Sequence, residues 1–384
     1  MISNYSVKAL VRVAAVVLAL VTGAGSAYAG SCKVTPLPSG FSPPTAPLDQ
    51  FYVANRSNVV THYDYNPTAL ASHVSSGYIT NLAPDASIAG TNTMLALTSK
   101  NYLVGMATDD YGNLYVAEPN LNTVHVYAKP PCPSNSCLPS ATPYNETPIV
   151  LRGLSQPAGL AFDRNSDLLY VANRGNNTVT AYQVNFSAGG IPALVSSPTR
   201  TFASGLSAPL GLALRGDFLY VANKGSNTIA VYRLSVTSGT PIFNKTLPYL
   251  TGPLGIAMNQ AGTRLYVADN GGGVTTGASA SIYKIDPTSG TPSLLAGDAQ
   301  LLAGTNTGVC NPPAVAIGSS EKYLYVANRE SFGGSITVYG LDQDGSLLTG
   351  SLNDPPNVKP AAIMSHDTAN RLGAAVGIVF APLP

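Results

Sequence analysis

Short apolar runs alternate with clusters of Asn, Gly, Ser and Arg along most of the chain, and one such pattern returns six times. The copies are FYVANRSNVVTHY from Phe51, LYVAEPNLNTVHVY from Leu114, LYVANRGNNTVTAY from Leu169, LYVANKGSNTIAVY from Leu219, LYVADNGGG with SIYKI from Leu265, and LYVANRESFGGSITVY from Leu324. Their leading tyrosines stand 46 to 63 residues apart. Leu-Tyr-Val-Ala has the length and apolarity of a buried strand, Asn-Arg-Gly-Asn-Asn is turn chemistry, and Thr-Val-Thr-Ala-Tyr carries the β-branched residues of a returning strand. Each copy therefore predicts a hairpin. A third strand precedes it, as PAGLAFD at Pro157, PLGLAL at Pro209, PLGIAM at Pro253, PPAVAI at Pro312 and, more loosely, LVGMATD at Leu103. A fourth, more variable strand follows, as at 148–151 and 199–202.

Four antiparallel strands repeated at about fifty residues describe the blades of a β-propeller. The Pro-x-Gly strand is expected innermost, where strands crowd and a missing side chain helps. Gly105, Gly159, Gly211, Gly255 and Gly377 meet that demand, and Ala314 stands in once. The first hairpin has no such strand before it, and the last segment, AVGIVFAP at 375–382, has no hairpin after it. The sequence thus predicts an all-β, six-bladed propeller over 49–384, closed by the C-terminal strand entering the first blade, which removes the exposed sheet edges of a broken ring. A divergent seventh blade within 67–100 is the competing count.

The YVAN and NNTV repeat, with PxGLAFD before it, resembles the NHL-repeat and YVTN-repeat β-propellers, within the lactonase-like propeller superfamily. The resemblance covers nearly all of 51–384 and implies the fold. It does not choose among the lactonases, lyases, sensor domains and surface-layer proteins of that superfamily. Relatives of the gluconolactonase type hold a metal in the central channel with a glutamate on an inner strand and Asn and Asp side chains. This chain departs from that pattern: PLGLAL and PLGIAM carry no acid, and Asp109 and Asp163 end their strands as turn residues do. Its four histidines, His62, His73, His125 and His366, do not repeat in register, unlike those of histidine-dependent propeller lyases.

Composition adds compartment and excludes some partners. Only 10% of the 384 residues are charged and the formal net charge is +1, so no basic stripe exists for nucleic acid. Residues 1–29 read as a signal peptide: Lys8 and Arg12, the apolar run 13–21, then Ala27-Tyr28-Ala29. The run is too short to span a bilayer, and no later stretch is apolar enough, so the expectation is a periplasmic or extracellular protein with no membrane span. Residues 30–48, with Pro36, Pro38, Pro43, Pro44 and Pro47, read as an extended leader. Export favours disulfides, with Cys132 to Cys137 and Cys32 to Cys310 preferred among three connectivities. Lipidation of Cys32 is the rival reading.

Two repeated positions are the candidate binding residues. The residue after Tyr-Val-Ala is polar in every copy: Asn55, Glu118, Asn173, Asn223, Asp269 and Asn328. These either ring the channel mouth, with Glu118 and Asp269 as oxygen ligands for Ca2+ or Mg2+, or bond their own turns. The next residue is basic four times, as Arg56, Arg174, Lys224 and Arg329, and is Pro119 and Asn270 in the others. A basic series in so charge-poor a chain suits a small anionic ligand or a protein partner. Tyr63, Tyr127, Tyr182, Tyr232, Tyr339 and Ile285 end the third strands and are expected to pack between blades. No GxSxG, HExxH or P-loop is present, and His366 beside Asp367 is the nearest approach to a hydrolytic set. The leading expectation is a non-catalytic ligand- or protein-binding module. The alternatives are a metal-dependent lactonase-type hydrolase and a structural cell-surface protein.

Overall fold

A computed structural model describes residues 49–55, 59–65, 74–75, 78–79, 86–87, 105–129, 149–235, 239–271, 279–294, 301–303, 309, 311–318, 321–329, 334–347, 362–364 and 375–380. The signal segment, the leader, all four cysteines, Arg56, His73 and His366 lie outside them, as do the side chains of Asn55, His62 and Tyr63. Every strand belongs to one unit of the chain.

Every regular element among the described residues is a strand, and the arrangement is a β-propeller. The strands pair into six sheets. The first joins Asp49–Asn55, Val59–Tyr65 and Ala86–Ser87, with Ala375–Phe380 beside Asp49–Asn55. The second runs Met106–Thr108, Leu114–Glu118, Thr123–Tyr127, Ile149–Leu151. The third is built on Pro157–Asp163, Leu168–Asn173 and Thr178–Phe186, and the fourth on Pro209–Arg215, Phe218–Asn223, Thr228–Arg233 and Phe243–Lys245. The fifth is built on Pro253–Met258, Arg264–Asp269 and Ser279–Ile285, and the sixth on Ala314–Ile317, Tyr323–Arg329, Gly334–Gly340 and Ala362–Met364. The short strands Val74–Ser75 and Tyr78–Ile79 extend the sixth sheet. So the described strands of 67–100 add to the first and sixth sheets and form no sheet of their own.

The Pro-x-Gly strands are innermost, and each lies beside the next in chain order; Ala375–Phe380 sits between Ala314–Ile317 and Met106–Thr108. Register slips within Pro157–Leu160, Pro209–Leu212 and Pro253–Ile256, so the glycine leaves its own ladder there. It then meets the neighbouring strand's backbone. Gly105 N donates to Ala158 O at 2.7 Å and Gly255 N to Pro313 O at 2.9 Å. A Cβ on Gly159 would stand 1.9 Å from Leu210 O, and one on Gly211 would stand 2.3 Å from Leu254 O. No side chain longer than hydrogen fits that approach.

Apolar cores lie between successive sheets. Tyr115, Val126, Leu160 and Tyr182 join the second to the third, and Tyr170, Phe202, Leu212 and Tyr232 join the third to the fourth. Tyr220, Val231, Ile256 and Tyr283 continue to the fifth, and Tyr266, Ile282, Val326 and Tyr339 to the sixth. The buried third-strand tyrosines Tyr182, Tyr232 and Tyr339 thus pack between sheets.

A second asparagine of the repeat, unremarked in the sequence, staples these sheets. Asn122, Asn177 and Asn227 hold left-handed φ of 54°, 56° and 56° at the hairpin tips. Asn122 Oδ1 accepts from Gln156 N at 2.8 Å and Asn177 Oδ1 from Ala208 N at 2.7 Å, each in the next sheet. With its amide turned to donate, Asn227 reaches Thr251 O at 2.8 Å. Asn177→Ala removes this bond and forces a Cβ-bearing, non-Asn residue into the left-handed region. Urea unfolding should show a loss of about 2 kcal/mol, and Asn177→Gly about half of that.

Candidate functional site

The hairpin tips and the loops leading into the inner strands meet on one face, and backbone bonds fix them together. Arg174 N donates to Gln156 O at 3.2 Å, Lys224 N to Ala208 O at 3.3 Å and Asn270 N to Gly252 O at 3.1 Å. Gly175 N and Gly225 N then donate to Ser155 O and Ser207 O, both at 3.0 Å. The residue before each basic position completes the lock. Asn173 Oδ1 accepts from Ser155 N at 3.2 Å, and Asn223 Oδ1 from Ser207 N at 3.3 Å. Asp269 accepts Thr251 N at 2.6 Å, Gly252 N at 3.2 Å and the Thr251 hydroxyl at 3.1 Å. Asn328 is buried, and its Nδ2 donates to Thr337 Oγ1 at 3.1 Å.

This geometry decides between the two readings of the polar positions. Asn173, Asn223, Asp269 and Asn328 are buried, and their side-chain atoms are engaged within their own sheets. They lock turns and present no open ring of oxygens. Burial pushes the Asp269 carboxyl above its ordinary pKa, while the hydrogen bonds from Thr251 and Gly252 pull it back. Donor groups already crowd both Asp269 oxygens, so they do not suit a divalent cation. Glu118 lies on the second sheet, with the third and fourth between it and Asp269, and its side chain is also buried. The pair does not fit a shared channel metal. Among the described residues no three His, Cys, Asp or Glu side chains cluster as metal ligands do.

The basic positions behave differently. Arg174, Lys224 and Arg329 are partly exposed, and they come from the third, fourth and sixth sheets. Burial lowers the Lys224 pKa below the ordinary lysine value, the charges of Arg174 and Arg329 lower it further, and Asp269 opposes them. One ammonium therefore feels cations from the sheet before it and from two sheets beyond. Arg174 is oriented by Gln156, whose Oε1 accepts from its Nη1 at 3.3 Å.

Other chemistry named from sequence sits elsewhere. Asp109 is buried and holds a turn, accepting from Tyr111 N, Asn113 N, Asn113 Nδ2 and the Tyr115 hydroxyl. Asp163 accepts from Asn165 N and the Ser166 hydroxyl. His125 lies mid-strand opposite Val116, its pKa lowered by burial and then by Arg152.

The model of a family described as "Lactonase, 7-bladed beta-propeller" matches residues 159–305, a stretch that carries Arg174 and Lys224. A search of curated proteins finds no match. Among solved structures, a protein from Lactobacillus plantarum aligns at 15% identity with a TM-score of 0.54, over 87% of this chain and 99% of its own. A candidate 6-phosphogluconolactonase from Bacteroides uniformis aligns at 16% identity with a TM-score of 0.51, over 90% of each chain. Another from Bacteroides fragilis aligns at 15% identity with a TM-score of 0.51, over 90% of this chain and 99% of its own. At such identities the likeness is one of fold. Together with the family match it supports a lactonase-like β-propeller.

Proposed function

We propose that this chain is a hydrolase of the lactonase type that binds a small anionic lactone or ester at the mouth formed by Arg174, Lys224 and Arg329. The observation that supports the reading is that three partly exposed cations at one repeat position, on the third, fourth and sixth sheets, are near enough for Arg174 and Arg329 both to act on Lys224. We further propose six blades, closed by the C-terminal strand. The pairing of Ala375–Phe380 with Asp49–Asn55 and the round of neighbouring inner strands support this count, against the seven in the matched family's name. Export through residues 1–29 places the activity in the periplasm or outside the cell.

Chemically, a bound lactone carboxylate or phosphate neutralises part of the cationic mouth. When water attacks the carbonyl carbon, negative charge grows on the carbonyl oxygen, and a fixed ammonium or guanidinium stabilises it. The ring C–O bond then breaks, giving a hydroxy acid and releasing a proton to solvent.

The second reading is capture of an anionic ligand or partner without turnover. It is favoured by the state of Asp269, the acid whose charge Lys224 feels: hydrogen bonds occupy both its oxygens, leaving no free base there. The assay is acid release from 6-phosphogluconolactone, corrected for spontaneous opening, beside calorimetry with 6-phosphogluconate. Turnover that survives a chelator supports the hydrolase. Binding without turnover supports capture, and the absence of both rejects the site. Affinity for the anion should fall as pH rises through the Lys224 pKa, at a pH below the ordinary lysine value near 10.5, because the neutral amine loses its attraction. Calorimetry across pH 7 to 10.5 reads that loss.

A further inference from the structure

The loop into the fifth sheet carries a strained aromatic residue. Tyr249 has φ of 64° and is 54% exposed. It stands four residues before Pro253, which opens the inner strand Pro253–Met258. The same count back from Pro157, Pro209 and Pro312 gives glycine each time, as Gly153, Gly205 and Gly308. Gly153 and Gly205 hold φ of 80° and 72°. A Cβ on Gly153 would meet nothing within 4 Å, so conformation alone accounts for glycine there. A bulky residue at positive φ is a true outlier, and the left-handed region costs an L side chain stability.

Contacts on both sides impose that conformation on Tyr249. Pro248 O accepts from the Tyr283 hydroxyl at 2.7 Å, as Ser204 O accepts from that of Tyr232 in the loop before. Leu250 is buried in the core between the fourth and fifth sheets, and Asp269 holds Thr251 N. The backbone is anchored on either side of a ring that is largely in solvent. Burial of that ring does not offset the strain, and glycine would serve the loop better.

This loop adjoins the hairpin of Lys224. The Asn227 amide, turned to donate, reaches both Thr251 O at 2.8 Å and Lys224 O at 3.2 Å. Tyr249 is two residues from Thr251, a span of at most about 7 Å. An exposed aromatic ring and a partly exposed ammonium thus spring from backbone joined through one side chain.

We propose that Tyr249 is a ligand-contacting residue, whose ring packs against the carbon body of the anion that Lys224 attracts. Ligand clamps are among the places where such strained residues are kept. The inference rests on the proposed anion site and adds a substrate class to it. The ligand is an organic anion with C–H groups beside its charged end, which an aromatic face suits, and not a bare inorganic anion.

Calorimetry of the full chain at pH 7, with 6-phosphogluconate and separately with inorganic phosphate, tests this. Tyr249→Gly should weaken 6-phosphogluconate binding about tenfold and leave phosphate binding unchanged, because phosphate has no carbon body. Tyr249→Phe keeps the ring and should bind both as the wild type does. Thermal unfolding should show Tyr249→Gly melting at or above the wild-type temperature, since glycine relieves the left-handed strain. An undiminished preference for 6-phosphogluconate in Tyr249→Gly overturns the ligand contact and leaves the anion site standing. Lower melting with equal loss of both ligands makes the tyrosine a loop support and overturns the contact too. A wild type that binds neither anion overturns the contact and the anion site together.

Discussion

Replacing Gly159 by alanine is expected to unfold the protein or to cost it more than about 4 kcal/mol, a size reserved for gross steric or burial faults. The added Cβ would stand 1.9 Å from Leu210 O, 2.9 Å from Leu210 C and 3.1 Å from Gly211 Cα, all backbone atoms of the neighbouring inner strand. No rotamer change relieves that overlap. Either the two strands part, which opens the apolar core between the third and fourth sheets, or the bulge at Pro157–Leu160 is lost and the ladder slips. Gly153→Ala supplies the control. That glycine has φ of 80° but open space around it, so alanine there bears only the left-handed penalty of roughly 1 kcal/mol. Urea midpoints of the two variants should differ severalfold in their displacement from wild type. Equal displacement would mean that inner-strand crowding does not govern stability.

The glycine pattern shows why the fold was legible in the sequence. Period-two strands, turn residues and the Pro-x-Gly strand each have a local physical cause, and in a repeat those causes recur until chance is excluded. Even the missing inner strand at the first hairpin pointed to 375–380, which does pair with Asp49–Asn55. The site was harder to read. Asn173 and Arg174 are adjacent in the chain and repeat equally well, yet one is buried in a turn lock and the other is partly exposed. Sequence gives both the same periodicity; only the tertiary bond from Ser155 N distinguishes them. The inter-sheet role of Asn122 and Asn177 was likewise hidden, because a turn asparagine is already explained by its φ. One signal was available: asparagine kept at a tip position that glycine would fill as easily. Glu118 and Asp269 stood out as acids among amides, but nothing in the chain told that hydrogen bonds from Thr251 and Gly252 already hold Asp269 in its turn.

Changing Arg174, Lys224 and Arg329 together to alanine is expected to weaken binding of a phosphorylated or carboxylated ligand at least 1000-fold while leaving the fold intact. Each cation offers charge-assisted hydrogen bonds worth about 1.5–3 kcal/mol, and three such losses, about 4.5 kcal/mol at the least, exceed three decades. Lys224→Glu alone should approach the same effect, because it replaces attraction by repulsion at the residue on which both other charges act. The stability effect should run the other way. The Lys224 pKa is held below that of the unfolded chain, so the folded state disfavours its proton at every pH below that folded value. Lys224→Met should therefore melt slightly above wild type at neutral pH, an advantage that disappears as the pH is raised toward 10.5 and the wild-type amine becomes neutral in both states. A lysine held beside two other cations at some cost in stability is the trade expected of a functional site, and it is what the proposed anion binding would explain. Calorimetry with 6-phosphogluconate and parallel melting curves read both halves. Weaker binding with unchanged or raised melting supports the site. If binding and melting fall together, the cations are structural, and the mouth is not where the ligand is held.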